Sequence, residues 1–480
     1  MTKRLTTVTT TTDRSSDLKT NRYAERETVM EKTLLLKRAS AGAAALACAT
    51  VILISSLPGR LSAQAQTDNA TNKVALLAEG KKTFRFETFG DEDFWGGVLK
   101  LHQVIAGAKL GGVGQGLSPK AAAALGLKAD IDALPDDLVT QIKAGAVNLD
   151  DPATTLGLLR LNAVVGVTGI FEGDKLKSMG IQCAICHSTV DQSFTAPGLP
   201  AGIIGHRLDG WANRDINMGA IAAQSPDLSL VANLLGVDQS TVRKVLNSWG
   251  PGKFDAEVFM DGQAFRPDGK PAATLIPPAF GLAGVNLNTW TGWGTVTYWN
   301  ALVANLEMHG KGRFADPRLN DATQFPIAAK NNFGNVNPDI DPDDDRITSK
   351  LGGLHAYQLS LAAPRMPAQA FNFPAQRGDK LFSGKAKCNS CHAEPLWTEP
   401  GMNLHKGADV CIDDFQANRS PAKMYRTAPL GGLFTHQKGG FYHDGRFATL
   451  NDVVEHYDSC MKLGLTGEEK SDLIAYLLTL

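Results

Sequence analysis

The sequence predicts an all-α protein of two helical domains with long, loop-rich insertions. The chain has 480 residues, more than one hydrophobic core usually serves, so two or more domains are expected. Two Cys-x-x-Cys-His motifs lie about 200 residues apart, too far for a direct fusion of two domains of about 100 residues each. The last residues carry a helix start signal followed by an apolar helical face.

Composition narrows the class of protein. Hydrophobic residues make up 43% of the chain and charged residues 20%, which is typical of a soluble globular protein. Residues 1–65 carry ten basic and five acidic residues, which leaves 38 basic and 44 acidic residues and a net charge of −6 for the remainder. This balance argues against nucleic-acid binding.

Residues 1–65 have the layout of a secretory signal and leader. The basic pair Lys37–Arg38 precedes an apolar run over 39–57, and the small-residue pattern at 63–65 suits cleavage before Gln66. A membrane anchor is the alternative, because the run is just long enough to span a bilayer. Its Ala and Ser content and the cleavage pattern favour the signal. We therefore expect a periplasmic or secreted protein with no stable membrane span after the signal is removed.

Seven cysteines are present, and Cys48 is removed with the predicted signal. Four of the others belong to the two motifs. Cys411 and Cys460 remain, and the sequence leaves open whether they form a disulfide or stay as buried free thiols.

The two motifs have the spacing of covalent c-type haem attachment. Two thiols one helical turn apart reach the edge of the macrocycle, and the adjacent imidazole projects beneath the ring as the proximal iron ligand. A zinc site of four pooled thiolates is the alternative, but it explains neither the adjacent histidines nor the export signal. The sequence thus predicts two covalently bound haem c groups, held by Cys183, Cys186 and His187 and by Cys388, Cys391 and His392.

Residues 375–480 are predicted to form a C-terminal cytochrome c domain. Its first helix covers residues 375–382, and Thr466 with Glu469 forms a capping box that begins its last helix. That last helix should pack across the first one through an apolar face made of Leu473, Ile474, Leu477 and Leu478. Residues 66–374 form an N-terminal haem region with insertions. The fold expected is therefore two class I cytochrome c-like domains.

Further segments of the C-terminal domain carry a family resemblance. They are Tyr-Arg-Thr-Ala-Pro-Leu at 425–430, Gly-Phe-Tyr-His-Asp-Gly-Arg at 440–446 and Ala-Thr-Leu at 448–450. This succession resembles the bacterial dihaem cytochrome c peroxidase superfamily, including the methylamine-utilisation dihaem enzyme and the dihaem rubber oxygenases. The resemblance implies an oxidoreductase whose N-terminal haem reacts with peroxide or dioxygen. Its C-terminal haem would relay electrons from small redox proteins.

The resemblance also places the sixth ligand of the second haem. In the superfamily this ligand lies in a short helix after the His-Asp-Gly turn, which here indicates Tyr457. His456, Met461 and His436 are alternatives, and His443 is expected near a haem without binding iron. A tyrosine or histidine ligand would lower the haem potential, whereas a methionine would raise it.

Peroxidases of the superfamily differ from this chain after the first motif. They carry an aromatic-Trp-Asp-Gly-Arg segment, followed by a Gln and a Glu that act on peroxide. Residues 206–211 are the nearest segment here, with Leu208 where the tryptophan would stand and no evident Gln and Glu pair. These departures argue against peroxidase chemistry, and the substrate is left open.

Two clusters between the motifs have alternative interpretations. Asp339, Asp341, Asp343, Asp344 and Asp345 could bind Ca²⁺. A solvated acidic turn is favoured, because the Gly and Glu positions of an EF-hand are missing. An aromatic cluster could carry electrons between haems, or simply pack in the core; its members are Trp290, Trp293, Tyr298 and Trp299.

Two functions fit these observations. The first is a haem enzyme with an open position at the first iron. The second is a non-catalytic electron-transfer cytochrome with both haems six-coordinate. The superfamily resemblance and the large insertions favour the enzyme.

Overall fold

The computed structural model describes residues 57–399 and 401–480. The chain divides into two compact units, Met1–Lys73 and Val74–Leu480. Of the first unit, residues 57–73 are described and are helical. The predicted signal, 1–65, lies outside the described residues except at its last nine positions. Within the described part of the chain, no helix combines the length and apolarity needed to cross a membrane.

Short helices supply most of the regular structure, and several begin at a residue whose side-chain oxygen accepts a backbone N–H. Asn372, Thr449 and Thr466 do so in the C-terminal region. The α-helices are Leu57–Phe86, Leu101–Ala106, Pro119–Ala124, Asp136–Lys143, Pro152–Arg160, Ala184–His187, Met218–Ala222, Ser229–Leu235, Gln239–Ser248, Val258–Asp261, Val296–Leu302, Pro326–Lys330, Leu351–Ser360, Phe373–Ser383, Phe415–Asn418, Leu450–Met461 and Gly467–Leu477. The 3₁₀ and π turns are Asp93–Val98, Ala108–Leu110, Ile131–Ala133, Val303–Glu307, Pro317–Asn320, Thr348–Lys350, Ala368–Ala370, Cys388–Ser390, Gly407–Val410 and Leu433–Thr435.

Strands occur as two-stranded ladders in the described residues. The ladders are Ala129–Asp130 with Ile204–Gly205 (parallel), and, all antiparallel, Val167–Glu172 with Lys175–Ile181, Ser188–Val190 with Arg207–Asp209, Lys253–Phe254 with Thr274–Leu275, and Phe314–Ala315 with Asn335–Val336. The sequence analysis did not anticipate them. The all-α class therefore stays a prediction. So does the boundary at residue 375, because residues 74–480 form one compact unit.

The longest ladder is a hairpin just before the first motif. Its turn is Gly173-Asp174, and Gly173 adopts a φ of 56°, a conformation that glycine tolerates and that tight hairpins require. Leu176, Met179 and Ile181 point into the largest buried cluster. The hairpin thereby fixes the direction in which the chain enters the first motif.

The last helix packs across Phe373–Ser383, as predicted. Its capping box of Thr466 and Glu469 is present. Leu473 and Leu477 are buried against Phe382. The composition of the apolar face differs from the prediction at one point, because Leu478 is exposed. Tyr476 fills that space instead: it is buried and its ring lies 5.2 Å from that of Phe382.

Buried ion pairs join the insertion to the C-terminal region. Arg419 is buried and contacts Asp255 at 2.9 Å and Asp261 at 2.7 Å. A buried guanidinium is tolerated because these carboxylates compensate its charge. The segment that begins near residue 250 is therefore held against residues 415–420.

Cys411 and Cys460 form a disulfide, with their Cα atoms 6.0 Å apart. The sequence had left this pairing open. The bond ties the turn Gly407–Val410 to the helix Leu450–Met461. The four motif cysteines are not part of any disulfide.

A substitution at Gly378 tests how closely the helices Phe373–Ser383 and Gly467–Leu477 pack against each other. A Cβ atom at this position would lie 2.7 Å from the Cβ of Tyr476 and still closer to the backbone of Asp472. Gly378→Ala should therefore lower the free energy of unfolding by about 2–3 kcal/mol, the cost of overpacking a tight contact. Denaturant unfolding followed by circular dichroism measures this change.

Gly467→Ala is the matched control, because a Cβ atom there meets open space in the first turn of the last helix. It should leave stability nearly unchanged. Equal stability losses in the two variants would contradict the close helix crossing.

Candidate functional site

The first motif forms one helical turn directly after the hairpin. The His187 N–H donates to the Cys183 carbonyl at 3.1 Å, so both motif thiols project from a single turn. Cys183 and Cys186 pack against the largest apolar cluster. Burial raises the pKa of each thiol to about 12.

The imidazole of His187 is oriented by a backbone carbonyl. Its Nδ1 lies 3.1 Å from the oxygen of Pro277, which can only accept, so Nδ1 carries the hydrogen and Nε2 keeps its lone pair. Burial lowers the pKa of His187 to about 4. The ring is therefore neutral near pH 7 and has its Nε2 available to bind a metal.

The Asp209-Gly210 turn lies against the first motif. The Gly210 N–H donates to the carbonyl of His187 at 2.8 Å, and the φ of 86° at Gly210 requires a glycine. The carboxylate of Asp209 accepts hydrogen bonds from Ser188 at 2.8 Å and Tyr357 at 2.6 Å. This is the segment that differs from the peroxidase pattern at Leu208, and its turn supports the His187 backbone.

The second motif is built in the same way. The His392 N–H donates to the Cys388 carbonyl at 2.9 Å. Its Nδ1 lies 3.0 Å from the carbonyl oxygen of Trp397, which again leaves Nε2 as the free lone pair. Burial lowers the pKa of His392. Two unrelated backbone segments thus give the two motif imidazoles the same tautomer.

A cavity of about 1240 Å³ adjoins the second motif. Cys388, Cys391 and His392 all line it, and it is larger than the roughly 300–1,000 Å³ of common ligand pockets. Two of its lining side chains, His436 and His443, have a buried Nε2 atom with no hydrogen-bond partner. The volume, the donor set and these unpartnered nitrogens fit a large group bound covalently at the motif.

The structure separates the candidates for the sixth ligand. Tyr457, Met461 and His436 line the cavity. His456 is not among the lining residues, and its Nε2 lies 2.9 Å from the carbonyl oxygen of Val410.

Tyr457 also lies close to the motif thiols. Burial raises the pKa of Tyr457, a hydrogen bond with Tyr442 opposes this rise, and the nearby Cys388 and Cys391 add to it. The geometry therefore favours Tyr457 over His456, although the identity of the ligand stays a prediction.

The two motifs are close to one another through the cavity wall. Pro277, whose carbonyl accepts from His187, lines the cavity of the second motif. Trp211, which follows Gly210, lines it too. The sequence analysis missed the roles of Pro277 and Trp397, because a carbonyl acceptor leaves no signature in the sequence.

The aromatic cluster divides into packing and lining residues. Trp293 is buried and stacks on Phe325 with ring centroids 5.4 Å apart, whereas Trp290 lines the cavity and its Nε1 donates to the carbonyl of Leu275 at 2.7 Å. Trp299 packs edge-on against Trp293. Of this cluster, Trp290 is the residue placed at the site.

The acidic loop does not gather its carboxylates. Asp345 accepts from the backbone of Thr348, and Asp341 accepts from the backbone of Asp343. Among the described residues, the group whose potential ligand atoms all lie within 4.8 Å of one another is Cys391, Glu399 and His405, beside the second motif. Calcium binding in the loop therefore stays an unsupported prediction.

Comparison with known proteins finds two kinds of similar haem protein. The chain is 27% identical over 222 residues to the cytochrome-c peroxidase IdrP1 of Denitromonas iodatirespirans, covering 35% of this chain and 57% of that protein. It is 24% identical over 246 residues to the methylamine utilization protein MauG of Methylorubrum extorquens, covering 44% and 65%. These similarities support the resemblance to the dihaem cytochrome c peroxidase superfamily.

The similarity to these relatives covers only part of their lengths. The matches span 57% and 65% of the lengths of these two relatives. No protein-family model matches the chain. A crystal structure of a MauG-like protein associated with microbial copper homeostasis is 20% identical, covers 46% of this chain and 77% of that one, and has a TM-score of 0.29. Similarity to these relatives supports haem as a cofactor and oxidoreduction as the class of chemistry.

The predicted sixth ligand of the haem expected at the second motif can be tested with two neighbouring variants. Tyr457→Phe keeps the ring and its packing but removes the oxygen. It should shift the Soret band of the second haem and raise its potential, because an oxygen ligand that stabilises the ferric iron is lost. His456→Gln is the matched control, because Gln can still donate to Val410. Absorption spectra and redox titration of both variants measure the effect.

An unchanged second haem in Tyr457→Phe would contradict the assignment and leave His436 or Met461 as the better candidate. A spectral change in His456→Gln without one in Tyr457→Phe would contradict the lining geometry described above.

Proposed function

We propose that this chain is an exported dihaem c-type cytochrome that acts as an oxidoreductase. One haem is attached at Cys183 and Cys186 with His187 as proximal ligand. The other is attached by the second motif, with His392 as proximal ligand. The observation that carries the proposal is the shared construction of the motifs: each imidazole donates through Nδ1 to a backbone carbonyl and leaves Nε2 free.

The two haems are proposed to have different roles. When bound, haem iron supplies reversible one-electron transfer and, where a coordination position is open, reaction with peroxide or dioxygen. Tyr457 lines the cavity of the second motif, where an oxygen ligand would close the sixth position. The second haem then relays electrons, and inner-sphere chemistry falls to the haem on His187.

The surrounding residues support this division. Pro277 orients His187 and lines the cavity of the second motif, so one segment contacts both sites. Burial keeps His187 neutral, as an iron ligand must be. These residues hold and orient the groups between which electrons would pass.

Peroxide is the substrate proposed first, because one relative is named a cytochrome-c peroxidase. The electrons would come from small redox proteins of the periplasm. Leu208, where peroxidases of the superfamily have tryptophan, distinguishes this chain from them. An organic substrate oxidised at the first haem is therefore the second possibility.

Haem attachment is the first test. The protein, purified from a host with c-type maturation machinery, should contain two haems per chain by pyridine haemochrome assay and intact mass. Cys183→Ser with Cys186→Ser should remove one haem, and Cys388→Ser with Cys391→Ser should remove the other. The disulfide variant that replaces Cys411 and Cys460 by Ser is the control and should retain both. Fewer than two haems in the unmodified protein would contradict the proposal.

Coordination of the irons is the second test. Electron paramagnetic resonance of the oxidised protein should show one high-spin iron that cyanide converts to low spin, because the first haem has an exchangeable position. His187→Ala should alter this signal, and His392→Ala should alter the other. Two low-spin signals that neither cyanide nor peroxide changes would instead identify a non-catalytic electron carrier.

A further inference from the structure

Two arginines of different origin line the large cavity. Arg214 follows the first motif in the chain, and Arg426 follows the second. Both line the cavity into which Cys391 and His392 project. Both residues therefore form part of the wall of the space proposed for the second haem.

Arg214 lacks any compensation for its charge. In the described part of the chain its side chain makes no hydrogen bond, ion pair or ring contact, and its Nη1 is fully buried without an acceptor. Burial lowers the pKa of this guanidinium to about 10. A desolvated cation without a partner is costly, and proteins normally pair it.

Arg426 is nearly as isolated. Its Nη1 donates to the carbonyl oxygen of Leu287 at 2.7 Å, but its Nε is buried without a partner. None of the carboxylates in the described residues pairs with it, and burial lowers its pKa to about 10. Its remaining donors require an acceptor that the protein does not provide.

Other buried arginines of the chain are paired. Arg419 contacts two aspartates, as described above, and Arg207 lies 2.9 Å from Asp130. Arg266 contacts Asp444 at 2.7 Å. Unlike these three, Arg214 and Arg426 have no carboxylate within ion-pair distance among the described residues, and both line the cavity. An anionic ligand in the cavity would supply the missing partner.

We propose that Arg214 and Arg426 bind the two carboxylate side chains of the haem attached at Cys388 and Cys391. The proposal rests on the proposed function, because it requires that haem. A haem carries two propionate groups, and a guanidinium binds a carboxylate through two parallel N–H donors. Two uncompensated arginines match two carboxylates in both number and charge.

Arg214 has a second effect, on the first motif. Arg214 directly follows Asn213, whose N–H donates to the carbonyl of Cys186 at 2.8 Å. Arg214 therefore lies within electrostatic reach of both sites. It is a positioning residue for the second haem whose charge also acts on the ligand of the first.

The test measures the midpoint potential of each haem in the purified dihaem protein by spectroelectrochemical titration. Arg214→Gln and Arg426→Gln each remove a positive charge. Its removal favours the ferric form of the haem, so the midpoint potential should fall. Each should shift the ferric-to-ferrous equilibrium of the second haem at least tenfold, which is 59 mV for one electron. Arg214→Gln should also lower the potential of the first haem, whereas Arg426→Gln should not.

Three controls accompany these variants. Arg365→Gln changes an exposed arginine that lines the same cavity and should leave both potentials unchanged. Arg214→Lys and Arg426→Lys keep the charge, so their midpoint potentials should be close to that of the unmodified protein. This result would separate an electrostatic role from a folding defect. Added acetate or phosphate at constant ionic strength should not move the potentials of the unmodified protein, because the carboxylates are covalent parts of the haem.

Failure of this inference can be distinguished from failure of the proposed function. The haem count of the unmodified protein tests the proposed function first, before any arginine variant is made. With two haems present, an unchanged second potential in both Gln variants would overturn the inference. A potential in the unmodified protein that depends on added acetate or phosphate would overturn it as well, by identifying a diffusible anion as the occupant.

Discussion

The extended segment 275–281 is the constraint on which the arrangement of the two motifs depends. Its backbone donates from Leu275 to the carbonyl of His443 at 2.6 Å and from Ala279 to the carbonyl of Gly210 at 2.8 Å. Between these donors, Pro277 offers its carbonyl to His187. The two adjacent prolines have no N–H groups that would need acceptors, and their fixed φ angles keep the segment straight. One strand of backbone thereby sets the orientation of the first imidazole and the wall of the second cavity.

Charge is distributed unevenly around this segment. Away from the cavity, buried guanidinium groups are matched by aspartates, as in the contacts of Arg419 that join the insertion to the C-terminal region. At the cavity wall, arginines and imidazoles keep unpartnered nitrogens. Since an unpaired buried polar group is costly in a protein of marginal stability, the wall is better explained by a bound group than by packing of the polypeptide alone. Arg214, Arg426, His436 and His443 thus bring four side chains with unpartnered buried nitrogens to the wall of one cavity.

Local signals allowed part of this structure to be predicted from the sequence. The capping box at Thr466 and the helical face of Leu473 and Leu477 depend on neighbours three or four residues apart, and the structure contains both. Helical geometry also implies that only one of His456 and Tyr457 can face the second motif. It could not say which one, because the acceptor for His456 is a carbonyl 46 residues away in the chain.

Other features escaped prediction for related reasons. Tertiary hydrogen bonds to carbonyls, such as those of Pro277 and Trp397, depend on backbone position rather than on residue type. The hairpin at 167–181 does carry a Gly-Asp turn signal, but the expectation of an all-helical region outweighed it. Arg214 is unpaired because no carboxylate lies near it in the folded structure. Such a tertiary contact, or its absence, cannot be predicted from the order of residues along the chain.

The disulfide between Cys411 and Cys460 has a consequence for biogenesis. If the chain is exported as proposed, six thiols enter one oxidising compartment together, and six cysteines allow 15 complete pairings. Four of these thiols must stay reduced until they react with haem, while the remaining two must oxidise. The contact between His456 and Val410 brings the segments that carry Cys411 and Cys460 together, so native folding of this region selects the correct pair. Early closure of that bond would remove two competitors from the thiol pool and leave the motif cysteines to the attachment machinery. The order of the two steps, oxidation of one cysteine pair and addition of the other four thiols to haem vinyl groups, thereby becomes a checkpoint on the yield of mature protein.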